Sequence, residues 1–157
     1  MNRHSDKHFF LRFEPDIPHV THQSGTKGVG RPGNLVRTYK TPALRQFEEQ
    51  LLALLKPLAP SEPWDCPIHL SSIWYFRAPK KLRLSGGDCV WKTTKPDTDN
   101  LVKTLKDCLK RAGFYEDDAL VVLDTIGKMC APEDSRHGIE VRIRDLSAEP
   151  ETKGADK

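Results

Sequence analysis

The segment from Lys95 to Leu101 holds the densest group of side chains in this sequence that could carry out chemistry. It reads Lys-Pro-Asp-Thr-Asp-Asn-Leu, so Asp97 and Asp99 flank a single residue where a loop becomes a helix. Two carboxylates at a helix N-terminus can project toward a common point, and the positive end of the helix dipole tolerates their charge. A third carboxylate, Asp118, follows nineteen residues after Asp99.

These three aspartates form a set of hard oxygen ligands with no cysteine or histidine nearby. Such a set favours Mg²⁺ or Mn²⁺ over zinc, and a metal held this way can activate water for phosphodiester displacement. An EF-hand beginning at Asp97 is excluded, because Leu101 and Val102 stand where that loop needs an oxygen ligand and a glycine. The alternative is structural, with Asp97 or Asp99 as the helix N-cap and with Asp117 and Asp118 as turn residues.

Two further features of this region have a chemical and a structural interpretation. Lys103 lies one helical turn beyond Asp99 and could steer a phosphate, or it could simply pair with Asp99 or Asp107 on the helix. A helix rises about 1.5 Å per residue, so Asp118 falls beyond the far end of the helix that Asp99 begins. It can join the other two only from a neighbouring strand end or from another subunit.

The elements that must position these residues follow from hydrophobic periodicity. A helix is predicted over 99–112, with Leu101, Leu105 and Leu109 on one stripe and Gly113 as its stop. A second helix is predicted from Pro42, behind a Thr41 N-cap, until Pro57. Strands are predicted over 8–13, 68–78, 119–130 and 138–144. This order indicates an α/β (α+β) domain with a small mixed sheet and two main helices, spanning 1–146 and followed by a disordered tail over 147–157.

Composition narrows the class of protein. The chain has 157 residues, 25 basic and 22 acidic side chains, a net charge of +3 and a mean hydropathy of −0.59. No apolar run approaches the ~20 residues of a membrane span, and no secretory signal is visible, so a membrane or secreted protein is disfavoured. The cysteines are far apart and include no Cys-x-x-Cys pair, which favours reduced thiols in a cytoplasmic protein over a zinc site.

Basic residues are concentrated in two segments rich in glycine and proline. Residues 21–45 contain five basic and no acidic side chains, and residues 77–111 contain ten basic and four acidic ones. A polar loop of about 16 residues is predicted over 79–94, and loops of that length are often functional. Basic loops of this kind are either solvated or contact a polyanion.

The residues from 95 to 128 also carry a longer pattern. It consists of Lys-Pro-Asp-x-Asp-Asn-Leu-x-Lys over 95–103, Asp-x-Leu over 107–109, Ala-Gly-Phe-Tyr-x-Asp-Asp-Ala-x-Val-Val over 112–122, and Lys128. This pattern resembles the RusA-type Holliday junction resolvases. The resemblance implies a Mg²⁺-dependent endonuclease, with Mn²⁺ as a possible substitute, that binds four-way or branched DNA and nicks two opposing strands. It also implies an intertwined homodimer of small α/β subunits.

By motif position, the resemblance assigns catalysis and metal binding to Asp97, Asp99 and Asp118, and makes Lys103 the essential lysine. Asp117 is expected to support the metal site. Basic residues expected to hold DNA phosphates without reading bases are Arg31, Arg37, Lys40, Lys80, Lys81, Arg83 and Lys95. Two alternatives remain. One is a non-catalytic protein that binds branched DNA, and the other is a nuclease of broader specificity that also cleaves flaps or other branched DNA. One small domain carries one set of three aspartates while resolution needs two cuts, so the short length itself favours a dimer.

Overall fold

The computed structural model describes residues 4–13, 26–29, 37–135 and 137–148, and for 26–29 and 37–39 it describes the backbone alone. The elements in chain order are β1 (Lys7–Arg12), β2 (Thr26–Val29), β3 (Arg37–Lys40), α1 (Pro42–Leu55), β4 (Ile68–Arg77), β5 (Val90–Trp91), α2 (Thr98–Ala112), β6 (Val121–Ala131) and β7 (Gly138–Asp145). Single 3₁₀ turns occupy Lys56–Leu58 and Asp118–Leu120. Of the described helices, none is long and apolar enough to span a bilayer.

Helix α1 begins and ends where its local sequence predicts. The hydroxyl oxygen of Thr41 accepts a hydrogen bond from the backbone N–H of Leu44 at 3.4 Å, and Pro42 occupies the first turn. The backbone nitrogen of a proline has no hydrogen to donate, so it is tolerated in the first turn of a helix and not in its interior. The α-helix ends at Leu55, two residues before Pro57.

Helix α2 carries the candidate site at its first turn. Asp97 is its N-cap residue and has extended backbone, and the Asp97 carbonyl accepts from the N–H of Leu101 at 3.3 Å. The helix ends at Gly113, which adopts a left-handed φ of 89° and donates to the carbonyls of Leu109 and Lys110. A side chain at this φ would be strained, which explains why glycine is the stop residue here.

The sheet has five strands in the order β1-β7-β4-β6-β5. Strands β4 and β6 are parallel and the other neighbours are antiparallel, so the sheet is mixed. Both helices cover the same face of it, where their leucines form one core with Trp74, Phe76, Ile139 and Val141. The predicted α/β (α+β) class, with a small mixed sheet and two main helices, is confirmed.

The structure also contains elements that the sequence patterns did not predict. Strands β2 and β3 form a separate antiparallel hairpin inside the glycine-rich basic segment that was predicted as a loop. Strand β5 interrupts the predicted loop at 79–94, and two residues are too few to show a period. Residues 118–120 form a 3₁₀ turn, so β6 starts at Val121 rather than 119. The predicted disordered tail lies outside the described residues apart from its first two.

Candidate metal and DNA site

Asp97 presents an ionised, accessible carboxylate at the first turn of α2. The Lys95 ammonium donates to Asp97 Oδ2 at 2.8 Å, and 45% of the Asp97 side chain is exposed. This hydrogen bond lowers the pKa of Asp97 below its ordinary value, and the nearby charge of Lys128 acts in the same direction. Lys95, one of the predicted DNA-binding residues, is therefore placed against the carboxylate.

Asp99 stands in the first turn of the same helix, and its side chain is exposed. Its carboxylate accepts a hydrogen bond at Oδ1 from the side-chain amide of Asn100, at 3.3 Å. Mg²⁺ is commonly held by one or two protein carboxylates, with water and substrate phosphate completing its octahedron. Asp97 and Asp99 therefore fit Mg²⁺ by the chemistry and the number of their donor groups.

Lys103 lies one turn further along α2 with its side chain exposed to solvent. It forms no hydrogen bond or ion pair with another residue in the described parts of the chain, so the alternative pairings with Asp99 and Asp107 are not made. The lysine that does form an ion pair in the middle of this helix is Lys106, whose ammonium lies 2.6 Å from Asp124 Oδ2 on β6.

Asp117 and Asp118 lie at the opposite end of α2. The Asp117 carboxylate caps the 3₁₀ turn by accepting from the N–H of Ala119 at 2.9 Å, and it lies 3.1 Å from the ammonium of Lys110. These contacts lower the pKa of Asp117 to about 2, with the backbone hydrogen bond as the larger cause. Asp118 Oδ1 lies 3.7 Å from the same ammonium.

The length of α2 therefore separates Asp118 from the other two aspartates. The helix has 15 residues, which corresponds to about 22 Å. Strand β6 runs back along it, since Asp124 meets Lys106 in the middle and Lys128 reaches the carbonyl of Pro96 at the start of the helix. Among the described residues, no three Asp, Glu, His or Cys side chains are close enough to share a metal ion. Within one chain, Asp97 and Asp99 thus share the start of α2, whereas Asp118 lies near its opposite end.

One edge of the sheet is open along most of β6. Strand β5 pairs only with Met129 and Cys130, so over 121–127 the only described strand paired with β6 is β4. Two large apolar side chains on this stretch are exposed, Val122 at 63% and Leu123 at 47%. We call residues 121–127 the open edge of β6. Unpaired edges with apolar side chains are templates for pairing with another chain.

Apart from Lys95, the predicted DNA-binding residues fall into three groups. Lys80, Lys81 and Arg83 are exposed on the connection between β4 and β5. Arg37 begins β3, but its side chain is outside the described part of the chain, as is all of Arg31.

Lys40 differs from the others because it belongs to an ion cluster around the buried carboxylate of Glu48. Its ammonium lies 2.7 and 2.9 Å from the two carboxylate oxygens of Glu48, and the guanidinium of Arg111 is 3.1 Å from Glu48 Oε2. The Glu48 side chain is only 4% exposed. These contacts connect β3, α1 and α2, and sequence spacing could not have found them because the partners come from three elements.

Family comparison defines the class of enzyme to which this small α+β domain belongs. The family model described as Endodeoxyribonuclease RusA matches residues 18–144, which is most of the chain. The chain belongs to the RusA endodeoxyribonuclease family. The predicted family and the predicted endodeoxyribonuclease activity are thereby confirmed.

Two curated proteins are similar to this chain over most of their length. The crossover junction endodeoxyribonuclease rusA of Lactococcus phage r1t is 27% identical over 143 residues, which cover 88% of this chain and 98% of the phage protein. The uncharacterized protein YqaN of Bacillus subtilis (strain 168) is 31% identical over 131 residues, which cover 76% of this chain and 89% of that protein.

Proposed function

We propose that this protein is a Mg²⁺-dependent endonuclease that resolves four-way DNA junctions by paired symmetric nicks during recombination and repair in the cytoplasm. The observation that carries the proposal is the pair of exposed carboxylates, Asp97 and Asp99, at the start of α2 in a member of the RusA family. The phage relative named as a crossover junction endodeoxyribonuclease supports four-way DNA as the substrate.

Asp97 and Asp99 would hold the metal ion, for which Mn²⁺ is a possible substitute. When bound there, the metal would activate water and offset charge on the phosphate. An aspartate is ionised near neutral pH, and the hydrogen bond from Lys95 lowers the pKa of Asp97 further, so its carboxylate is charged when a cation binds. Lys103, exposed one turn further along the same helix, would contact the scissile phosphate.

A second copy of the chain would supply the third aspartate. Asp118 lies about a helix length from Asp97 in its own subunit, so an intertwined homodimer is the simplest way to bring the three together. Each composite site would then contain Asp97 and Asp99 of one subunit and the partner subunit's Asp118. Two such sites give the two cuts that resolution requires, and Asp117 would hold the turn that carries Asp118.

The open edge of β6 offers a face for this pairing. In an antiparallel pair of identical strands, positions equally far from the two-fold axis lie opposite each other. If the axis passes near Leu123, residue 118 of one copy falls opposite Lys128 of the other. Lys128 contacts the carbonyl of Pro96, the residue before Asp97, so this pairing directs Asp118 toward the other two aspartates and covers Val122 and Leu123.

Basic residues outside the carboxylate pair would hold DNA phosphates. Lys80, Lys81 and Arg83 are exposed on one connection, and we include Arg31 and Arg37 in this group by their sequence position. Lys40 is bound to Glu48, so its main effect is to anchor β3, the strand that begins with Arg37.

The decisive experiment is cleavage of a synthetic four-way junction with and without Mg²⁺. We expect symmetric nicks that need the metal, and no cleavage but unchanged junction binding for Asp97→Asn and Asp99→Asn. Asp134→Asn, at an exposed turn after β6, is the matched control and should cleave like the unsubstituted protein.

Each alternative predicts a different result in this assay. Junction binding without cleavage, indifferent to Asp97→Asn, would identify a non-catalytic protein that binds branched DNA. Equal cleavage rates on flaps and junctions would identify a broader nuclease.

A further inference from the structure

Lys128 ties β6 to the segment that leads into α2. Its ammonium donates to the backbone carbonyls of Thr94 and Pro96, each at 2.7 Å. Its own carbonyl accepts from the N–H of Lys92 at 3.0 Å. One half-buried residue therefore contacts residues 92–96 at three points. Hydrogen bonds from a charged donor are stronger than neutral ones, so these contacts restrain the segment more than ordinary loop contacts would.

The restrained segment ends at the two carboxylates. Residues 92–97 join β5 to α2 without secondary structure of their own, and Pro96 is buried. Asp97 follows Pro96 directly and begins the helix whose first turn contains Asp99. The hydrogen bonds from Lys128 to the carbonyls of Thr94 and Pro96 consequently determine how far both carboxylates lie from β6.

A comparison with Lys106, a second lysine between α2 and β6, shows which contacts are made by Lys128 alone. Lys106 also joins α2 to β6, but it does so through the carboxylate of Asp124 and contacts no residue of 92–97 in the described structure. Both side chains are partly buried. Removal of the Lys106 ammonium therefore costs an attachment between α2 and β6, whereas removal of the Lys128 ammonium releases the segment before Asp97.

From this geometry we propose that Lys128 is a positioning residue that holds Asp97 and Asp99 at a fixed place relative to β6. The proposal rests on the proposed function, since it assumes that these two carboxylates bind the metal. Misplacement of a reacting group by about 1 Å can cost up to about 100-fold in rate. Because Lys128 holds the segment through backbone carbonyls, its loss should lower turnover and metal affinity without weakening the hold on DNA. Loss of its positive charge near Asp97 would by itself favour binding of a cation, so weaker metal binding would report misplacement of the carboxylates.

The test compares Lys128→Met with Lys106→Met. Amide hydrogen exchange of the metal-free protein should be faster over 94–101 in Lys128→Met and unchanged there in Lys106→Met. Lys128→Met should lose between about 10-fold and 100-fold in kcat on a four-way junction, with KM unchanged, and should bind Mn²⁺ more weakly by electron paramagnetic resonance. Lys128→Arg should restore part of each loss, because a guanidinium can also donate to two carbonyls.

Two outcomes separate failure of this inference from failure of the proposed function. If Lys128→Met and Lys106→Met match in exchange, kcat and Mn²⁺ affinity while Asp97→Asn is inactive, Lys128 is not a positioning residue. If Asp97→Asn cleaves normally, the proposed function fails, whatever the exchange over 94–101 shows. Should Lys128→Met not fold by circular dichroism, Lys128→Gln is subject to the same expectations.

Discussion

The carboxylate of Asp118 lies 3.7 Å from the ammonium of Lys110, in the last turn of the helix whose first turn contains Asp97 and Asp99. If the three aspartates act together across two subunits, inactive variants should complement each other. In a heterodimer of Asp97→Asn and Asp118→Asn, one site has both defects and the other has none. When equal amounts of the two variants are refolded together, about half of the dimers should be heterodimers, each with one intact site. Nicking should therefore return at about a quarter of the normal number of sites. The readout is single-strand nicking of a labelled junction.

The control for this complementation is a mixture of Asp97→Asn with Asp99→Asn. Asp97 and Asp99 of each composite site come from the same subunit. Each site of that heterodimer therefore keeps one defect and stays inactive. If the mixture of Asp97→Asn with Asp118→Asn is equally inactive, Asp118 does not act in trans.

Pairing through the open edge of β6 predicts a specific dissociation. Leu123→Lys places a charge on the exposed apolar stretch that a second copy would cover, and buried unpaired charge is costly. We expect sedimentation velocity to show a monomer for this variant and a dimer for the unsubstituted chain. Leu58→Lys makes the same change at another exposed leucine, which lies outside the open edge of β6, and should leave the dimer intact. Dimers of equal stability in both variants would place the interface elsewhere.

The ion cluster around Glu48 predicts a loss of stability when its carboxylate is removed. Glu48→Ala leaves the ammonium of Lys40 and the guanidinium of Arg111 without their carboxylate. Because both cations are partly exposed and can be hydrated, we expect a cost of about 1–3 kcal/mol, as for the loss of hydrogen bonds to a charged group. Urea unfolding should show that decrease in the free energy of unfolding. Glu49→Ala, at the exposed next position, should change it little. A decrease of similar size in both would mean that the cluster adds nothing to stability.

Phosphate contacts by the basic connection between β4 and β5 predict a change in salt dependence. Each phosphate contact contributes about −0.9 to the slope of the logarithm of affinity against the logarithm of salt concentration. Replacing Lys80, Lys81 and Arg83 together by glutamine should therefore flatten the slope by up to about 2.7 in fluorescence anisotropy titrations. Lys56→Gln, an exposed lysine after α1, is the control and should leave the slope unchanged. An unaltered slope in the triple variant would remove this connection from the DNA face.

The cysteines predict a pH dependence of both reactivity and stability. Burial raises the pKa of the Cys108 thiol to about 12, and burial with the charge of Asp145 raises that of Cys66 to about 11. The thiolate is the reactive form, so both should be inert to a thiol reagent at pH 8 in the folded chain, while the less buried Cys89 reacts. Urea should make all four reactive.

The effect on stability follows from the same raised pKa values. An unfolded thiol ionises near its ordinary pKa of 9.0, whereas the folded thiols keep their protons until about pH 11 to 12. Ionisation therefore stabilises the unfolded state relative to the folded state as pH rises from about 9 to 12. The free energy of unfolding falls over that range. A Cys108→Ala variant should show a smaller fall in chemical denaturation between pH 8 and 10.5. An identical fall would show that Cys108 is not responsible.

Much of the local structure was determined by the sequence alone. Thr41 and Pro42 start α1, Gly113 stops α2, and the alternation in β7 buries Ile139, Val141 and Ile143 as predicted. These features depend on the backbone preferences and side-chain spacing of residues within about two turns of each other, so a single stretch of sequence contains all the information. The family pattern over 95–128 is contiguous for the same reason.

Only the tertiary structure decided which distant groups meet. Lys128 holds the carbonyl of Pro96 because the parallel pairing of β4 with β6 carries the strand back along α2, and no spacing in the sequence encodes that return. The position of Asp118 beside Lys110, a helix length from Asp97 and Asp99, agrees instead with the helix length that the sequence predicts. Spacing along the chain specifies which carboxylates are available, whereas packing of the helix against the sheet determines which of them one subunit can bring together.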